Sequence, residues 1–150
     1  MIDAIVILGV VLSGLLAGNE LATLIGLHPA LRRIPLRSRI EAEQALTRHL
    51  GAIMPVYMTA TLVAAVATTV ALVGETGFGY ALAAAVALGV MLAITLSRNV
   101  PLNARTLEFP LEGDELAWTD IRRPWERLHA LRVGLDLVAF ASLVAALAVR

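Results

Sequence analysis

Trp125, His129, Arg132 and Asp136 fall at intervals of four, three and four within RPWERLHALRVGLD, residues 123–136. On a helix that spacing stacks them along one face. A histidine exchanges protons near neutral pH, and an arginine one turn away can hold the anion that proton loss leaves behind. Asp136 stands one turn beyond Arg132 as its expected partner, and the Trp125 indole offers a flat apolar wall. The chemistry such a stripe supports is proton abstraction with stabilisation of the resulting anion. The plainer reading of the same residues is a structural ion pair beside arginines that snorkel to headgroups.

The elements that position this stripe follow from composition. Of 150 residues, 59% are hydrophobic, and the mean hydropathy is +0.80, well above the ~45–50% apolar content of soluble domains. Four apolar segments, about 4–27, 51–73, 78–96 and 128–149, are each near the ~20 residues that cross a bilayer core. The predicted fold is therefore all-α: a single domain over 1–150, an integral membrane four-helix bundle with a cytoplasmic-side cap of loops and short helices. The first segment lacks a basic leader and reads as a retained span rather than a cleaved signal. Gly14, Gly18 and Ala22 give it a small-residue face suited to close helix approach.

Charge placement sets an expected orientation. No lysine or cysteine occurs, so Schiff-base chemistry, disulfides and thiolate sites are excluded. Eleven of the 12 basic residues, all arginines, lie in 32–48 or 98–132, whereas the VGETGFG connection carries only Glu75. The positive-inside rule then puts both long loops in the cytoplasm and both termini outside an inner or plasma membrane. In the first loop, Ser38 and Glu41 form a capping-box pattern for an interfacial helix, and Pro101 is expected to end span three. The mixed-charge stretch 105–127 reads as a folded cap, with no sign of a nucleic-acid patch.

This topology gathers polar residues at one membrane face. His28 closes span one, His49 opens span two, Asn99 and Asn103 close span three, and His129 and Arg132 open span four. Glu20 and Asp136 sit about two turns deeper at ~1.5 Å per residue, and buried ionisable groups in a membrane usually line a wet cavity. Iron or copper held by His28, His49, His129 and Glu20 is one reading of that gathering, and haem on His49 or His129 another. No histidine pair at helical spacing supports them. His28, just before a proline at a helix end, reads first as a structural residue.

NVPLN at 99–103, WERLHALR at 125–132, AGNELATLIGLHPAL near the start and four spans in about 150 residues together resemble the anthrone oxygenase family of integral membrane proteins. The likeness covers nearly the whole chain. It implies an oxidoreductase that converts an anthrone to an anthraquinone with molecular oxygen and without an organic cofactor. On that reading His129 is the general base, and Arg132, Asn99 and Asn103 hold the oxyanion. Trp125, Asp136, His49 and Glu20 complete the binding site for a hydrophobic polycyclic phenol. The alternatives are a non-enzymatic carrier of a small hydrophobic metabolite, a metal- or haem-binding redox protein, and a structural subunit forming homo-oligomers through the first span.

Overall fold

Within hydrocarbon every backbone N–H and C=O needs an internal partner, which leaves apolar segments of this length the choice of helix. The computed structural model describes residues 2–149; Met1 and Arg150 lie outside the described residues. It contains four long helices and, among the described residues, no strand: α1 Ile2–Leu31, α2 Leu36–Ala71, α3 Phe78–Glu108 and α4 Glu115–Ala148. Each is long and apolar enough to cross a membrane. At ~1.5 Å per residue, helices of 30 to 36 residues reach about 45 to 54 Å, so they outrun a ~30 Å hydrocarbon core. The excess builds the cap.

Sequential helices pack as neighbours, and α4 closes the ring against α1. Away from the cap, Leu16, Met58, Ala65, Ala84, Leu88, Met91, Ala139 and Leu143 form a filled apolar core. A smaller cluster of Val6, Leu72, Ala81 and Ala146 completes that end. Alanine recurs in both clusters because short side chains let the helices come close. Large apolar residues such as Leu15, Val56, Val63, Val70 and Val86 point outward, as a lipid-facing surface requires.

The α2–α3 connection is tight. Gly74 has φ +87°, a left-handed conformation that favours glycine, and the Thr76 hydroxyl donates to the Val149 carbonyl. A Cβ at Gly77 would lie 2.8 Å from the Ala146 carbonyl oxygen, a backbone atom that cannot swing aside. Gly77→Ala is therefore expected to destabilise the bundle by about 1–3 kcal/mol, the usual cost of overpacking. Unfolding of the detergent-solubilised protein measures it, with Gly89→Ala, which meets nothing within 4 Å, as the control. In span one, Gly14 meets the Phe140 ring, but Gly18 approaches nothing and Ala22 is exposed. The predicted three-residue face thus narrows to one contact.

Three local expectations change. Helix α2 starts at Leu36 behind Pro35 and has no side-chain cap bond, so Ser38 is already inside it; Pro35 fixes the entry in place of the capping box. The interfacial helix and span two are one continuous rod. Pro101 does not end span three either, because the helix absorbs it. Just before it, Thr95–Asn99 forms a π-helical turn, with the Val100 N–H donating to the Thr95 carbonyl five residues back. The chain then continues as α-helix from Val100 to Glu108. Span one behaves the same way: a π-turn over Thr23–Leu27, His28 N–H to the Thr23 carbonyl, then a short helical segment with Pro29 in its first turn. A proline ring clashes with the carbonyl four residues earlier, here Ile25 or Ser97, and the wider turn accommodates that clash.

The cap is bonded as well as packed. Gln44 Nε2 donates to the carbonyls of Thr106 (3.1 Å), Leu107 (3.4 Å) and Phe109 (2.8 Å), satisfying the end of α3 that would otherwise be orphaned. Asp114 caps α4 by accepting from the Ala117 N–H at 3.0 Å. Helix α4 then runs through Pro124, so the mixed-charge stretch is largely the extended start of span four.

Candidate active site

Regular α-helical spacing builds the first wall. Arg122, Trp125, His129 and Arg132 follow one another along α4 at intervals of three, four and three, and all four line a cavity of about 90 Å³ among the cap-side ends of the helices. The Arg122 guanidinium lies 4.2 Å from the Trp125 ring centre, a cation–π distance. Trp125 stacks on His129 at 5.0 Å and 26°. The result is a ladder of flat groups along one helix face.

The π-turns supply the opposite walls. In a π-turn the residue one turn on is i+5 rather than i+4. Thr23 and His28 accordingly line the cavity together on α1, and Thr95 and Val100 do so on α3. His28 meets Trp125 edge-on at 5.0 Å and His129 at 5.6 Å, while neither of its ring nitrogens has a hydrogen-bond partner among the described residues. The same shift explains Asn99. It is buried with both amide atoms unpartnered among the described residues, but it does not line the cavity, because Val100 takes the position that uninterrupted α-helix would have given it.

At the cavity floor, three buried polar groups meet. Glu20 Oε2 lies 2.6 Å from Arg132 Nη2 and 3.2 Å from His129 Nδ1, and Arg132 Nη2 is 3.2 Å from the same ring nitrogen. Arg132 Nη1 donates to the Thr95 hydroxyl at 3.2 Å. His129 Nε2 has no hydrogen-bond partner among the described residues. Asn103 accepts from the Trp125 indole N–H at 2.7 Å, fixing the ring that walls the site.

Several expectations are therefore redrawn. Arg132 turns to Glu20 on another helix instead of to Asp136; the carboxylate of Asp136 is buried, unpartnered among the described residues and away from the cavity lining. His49 is exposed and does not line the cavity. On α2 the cavity face is Thr47, Leu50, Gly51, Met54 and Met58, and a residue two positions from Thr47 points the other way at ~100° per residue. No group of three or more histidine, aspartate or glutamate side chains able to hold a metal ion occurs among the described residues, so His28, His129 and Glu20 do not form a ligand set and His49 is too far around its helix to join one. Among the predicted residues, the structure brings Glu20, His28, Asn103, Trp125, His129 and Arg132 together.

Sequence reasoning missed a second polar layer. Arg122 Nε lies 2.5 Å from Glu43 Oε2, and both residues line the cavity. Arg122 is one turn before Trp125 on the same stripe, so helical spacing carried a signal for it; Glu43 had none, because its partner is 79 residues away in sequence. Exposed Asn19 and Gly51 belong to the lining, and the Asn19 amide reaches Met54 Sδ at 3.6 Å, joining α1 and α2 at its edge.

No curated protein and no solved structure matches the chain. A family model described as Anthrone oxygenase matches residues 43–142, a stretch that holds Asn103, Trp125, His129 and Arg132 but begins after Glu20 and His28. A match over that share of the chain, on four apolar helices that enclose such a cavity, places this protein in the anthrone oxygenase family.

Proposed function

We propose that the protein is a membrane-embedded oxygenase that oxidises a hydrophobic polycyclic phenol of the anthrone type to the corresponding quinone. One observation carries this reading: the ring of His129 is held through Nδ1 by a carboxylate that is itself locked by Arg132, while Nε2 has no hydrogen-bond partner among the described residues. With Glu20 paired to Arg132 as a carboxylate, the ring proton belongs on Nδ1 and is shared with Glu20. The lone pair of Nε2 is then available as a general base.

An anthrone has an acidic methylene between two aryl rings. His129 Nε2 takes one of its protons, and the electron-rich enolate passes an electron to oxygen; the radical pair combines at the same carbon to a peroxide anion, which takes the proton back from His129 to become a hydroperoxide. Loss of the second C–H proton with cleavage of the O–O bond releases water and leaves a carbonyl. Each turnover consumes one anthrone and one oxygen molecule and yields one quinone and one water. The protein's contribution is to make and hold the anion. Trp125 would support a flat ring, and the unpartnered Nε–H of Arg132 would face the developing oxyanion. Glu20 and Arg132 position the base. Substrate and oxygen both dissolve in hydrocarbon and would enter between α1 and α2 past Asn19 and Met54. The arginine bias would set the cap, and with it the catalytic end, in the cytoplasm.

The purified protein is expected to convert anthrone to anthraquinone under air with equal uptake of oxygen, followed by absorbance and an oxygen electrode. Rates no higher than those of heat-treated protein, across differently substituted anthrones, would rule the reading out. A carrier of hydrophobic metabolites would bind the same compounds without consuming oxygen, and the filled apolar core beyond the cavity favours a one-sided chemical site over a path across the bilayer.

A further inference from the structure

We propose that the second hollow, lined by Arg32, Arg39, Thr119, Arg122, Arg123 and Glu126, binds a phosphate-bearing anion, either the phosphodiester of an acidic lipid headgroup or free phosphate. The hollow holds about 290 Å³ beside the ends of α1, α2 and α4. It is separate from the oxidation chemistry and does not rest on it.

Charge makes the case first. Three of the four arginines share two carboxylates: Arg32 with Glu126 at 2.7 Å, Arg39 with Glu43 at 3.0 Å and Glu126 at 3.7 Å, and Arg122 with Glu43. Arg123 has no ion pair among the described residues, so four guanidinium groups face two carboxylates and two positive charges stay uncompensated. Burial adds a second argument. Arg122 is 2% exposed, yet its Nη1 has no hydrogen-bond partner among the described residues; an unsatisfied charged donor at such a site carries a standing cost that a phosphate oxygen would remove. Planar guanidinium forks match phosphate oxygens two at a time, and the Thr119 hydroxyl adds a neutral donor.

Position completes it. Arg122 lies seven residues before His129 on α4, about 10 Å along the axis, ahead of the apolar run of that helix, where headgroups would begin in a bilayer. A cation is disfavoured there by the excess positive charge. Because Arg122 also lines the interior cavity and sits on Trp125, an anion drawing on its guanidinium would be felt by the indole.

The test uses the full-length protein in phosphatidylcholine vesicles with and without phosphatidylglycerol, and in phosphatidylcholine with added inorganic phosphate at constant ionic strength. Tryptophan emission and thermal unfolding are read in each. Phosphatidylglycerol or phosphate is expected to shift the emission and raise the unfolding midpoint, and Arg123→Gln and Arg32→Gln are each expected to weaken that response about tenfold, as loss of one charge-assisted contact would. Arg98→Gln, an exposed arginine on α3 away from the hollow, should leave it unchanged. A response to phosphatidylglycerol alone assigns the lipid, and a response to phosphate assigns the free anion. No response to either, or an equal loss in Arg98→Gln, overturns the proposal.

Discussion

His129→Ala is expected to lower the rate of anthrone oxidation by about a hundredfold to ten-thousandfold, the range a positioned general base supplies, while the protein keeps its helical content and unfolds near the parent temperature. Among the described residues, its ring is the one at the site with one nitrogen anchored to a carboxylate and the other without a partner. His28→Ala, which removes an edge contact but no anchored base, should reduce turnover far less. Asn103→Ala should act mainly on KM, because its amide steadies the Trp125 wall and does not face the proton in transit. Stopped-flow absorbance with purified variants distinguishes these. A His129→Ala protein that turns over at the parent rate removes the base from the scheme, whatever the other variants do.

The second large effect concerns stability as well as rate. Glu20→Leu leaves the buried Arg132 guanidinium without its carboxylate, facing the neutral Thr95 hydroxyl and the His129 ring, and breaking a buried pair from one side costs about 3–5 kcal/mol. Arg132→Met strands Glu20 in the same way. The double variant Glu20→Leu/Arg132→Met removes both charges and should recover much of the loss, since an apolar replacement of a buried pair is often nearly neutral. Activity is expected to stay low in all three: the two variants without Glu20 lose the group that orients the His129 ring, and Arg132→Met loses both the lock on Glu20 and the donor for the oxyanion. Unfolding in mixed detergent gives the coupling energy of the pair. Additive single effects would mean that the 2.6 Å contact contributes nothing to the folded state.

Much of the architecture can be read directly from the sequence, and the site only in part. Four apolar runs and short connections leave an antiparallel ring as the simplest bundle, because hydropathy is a local property. The Trp125–His129–Arg132 stripe is also local: three residues on one rod, related by a period of 3.6. Arg132 shows where local reasoning ends. Asp136 is its neighbour at i+4, but spacing only permits a contact, and Glu20 on α1 approaches from the side of the cavity. Depth alone puts His49 level with the site, whereas depth and angle around the helix must both be right. Asn99 lies off the cavity lining for a third reason, a change of helical pitch that hydrophobic patterning does not encode. A sign of it was present, since LHP at 27–29 and NVP at 99–101 set a proline at a comparable place in two spans that needed to continue.

Those two widened turns make chain length a functional quantity. Each inserts a surplus residue into its rod, and excising one residue between Glu20 and His28 would swing everything beyond it by about 100° while leaving the site's side chains unaltered in type. Histidine and carboxylate would both survive, facing different surroundings. A comparison of natural chains by residue type alone would miss such a loss; for this centre to be inherited, the count of residues between its members must be inherited with them.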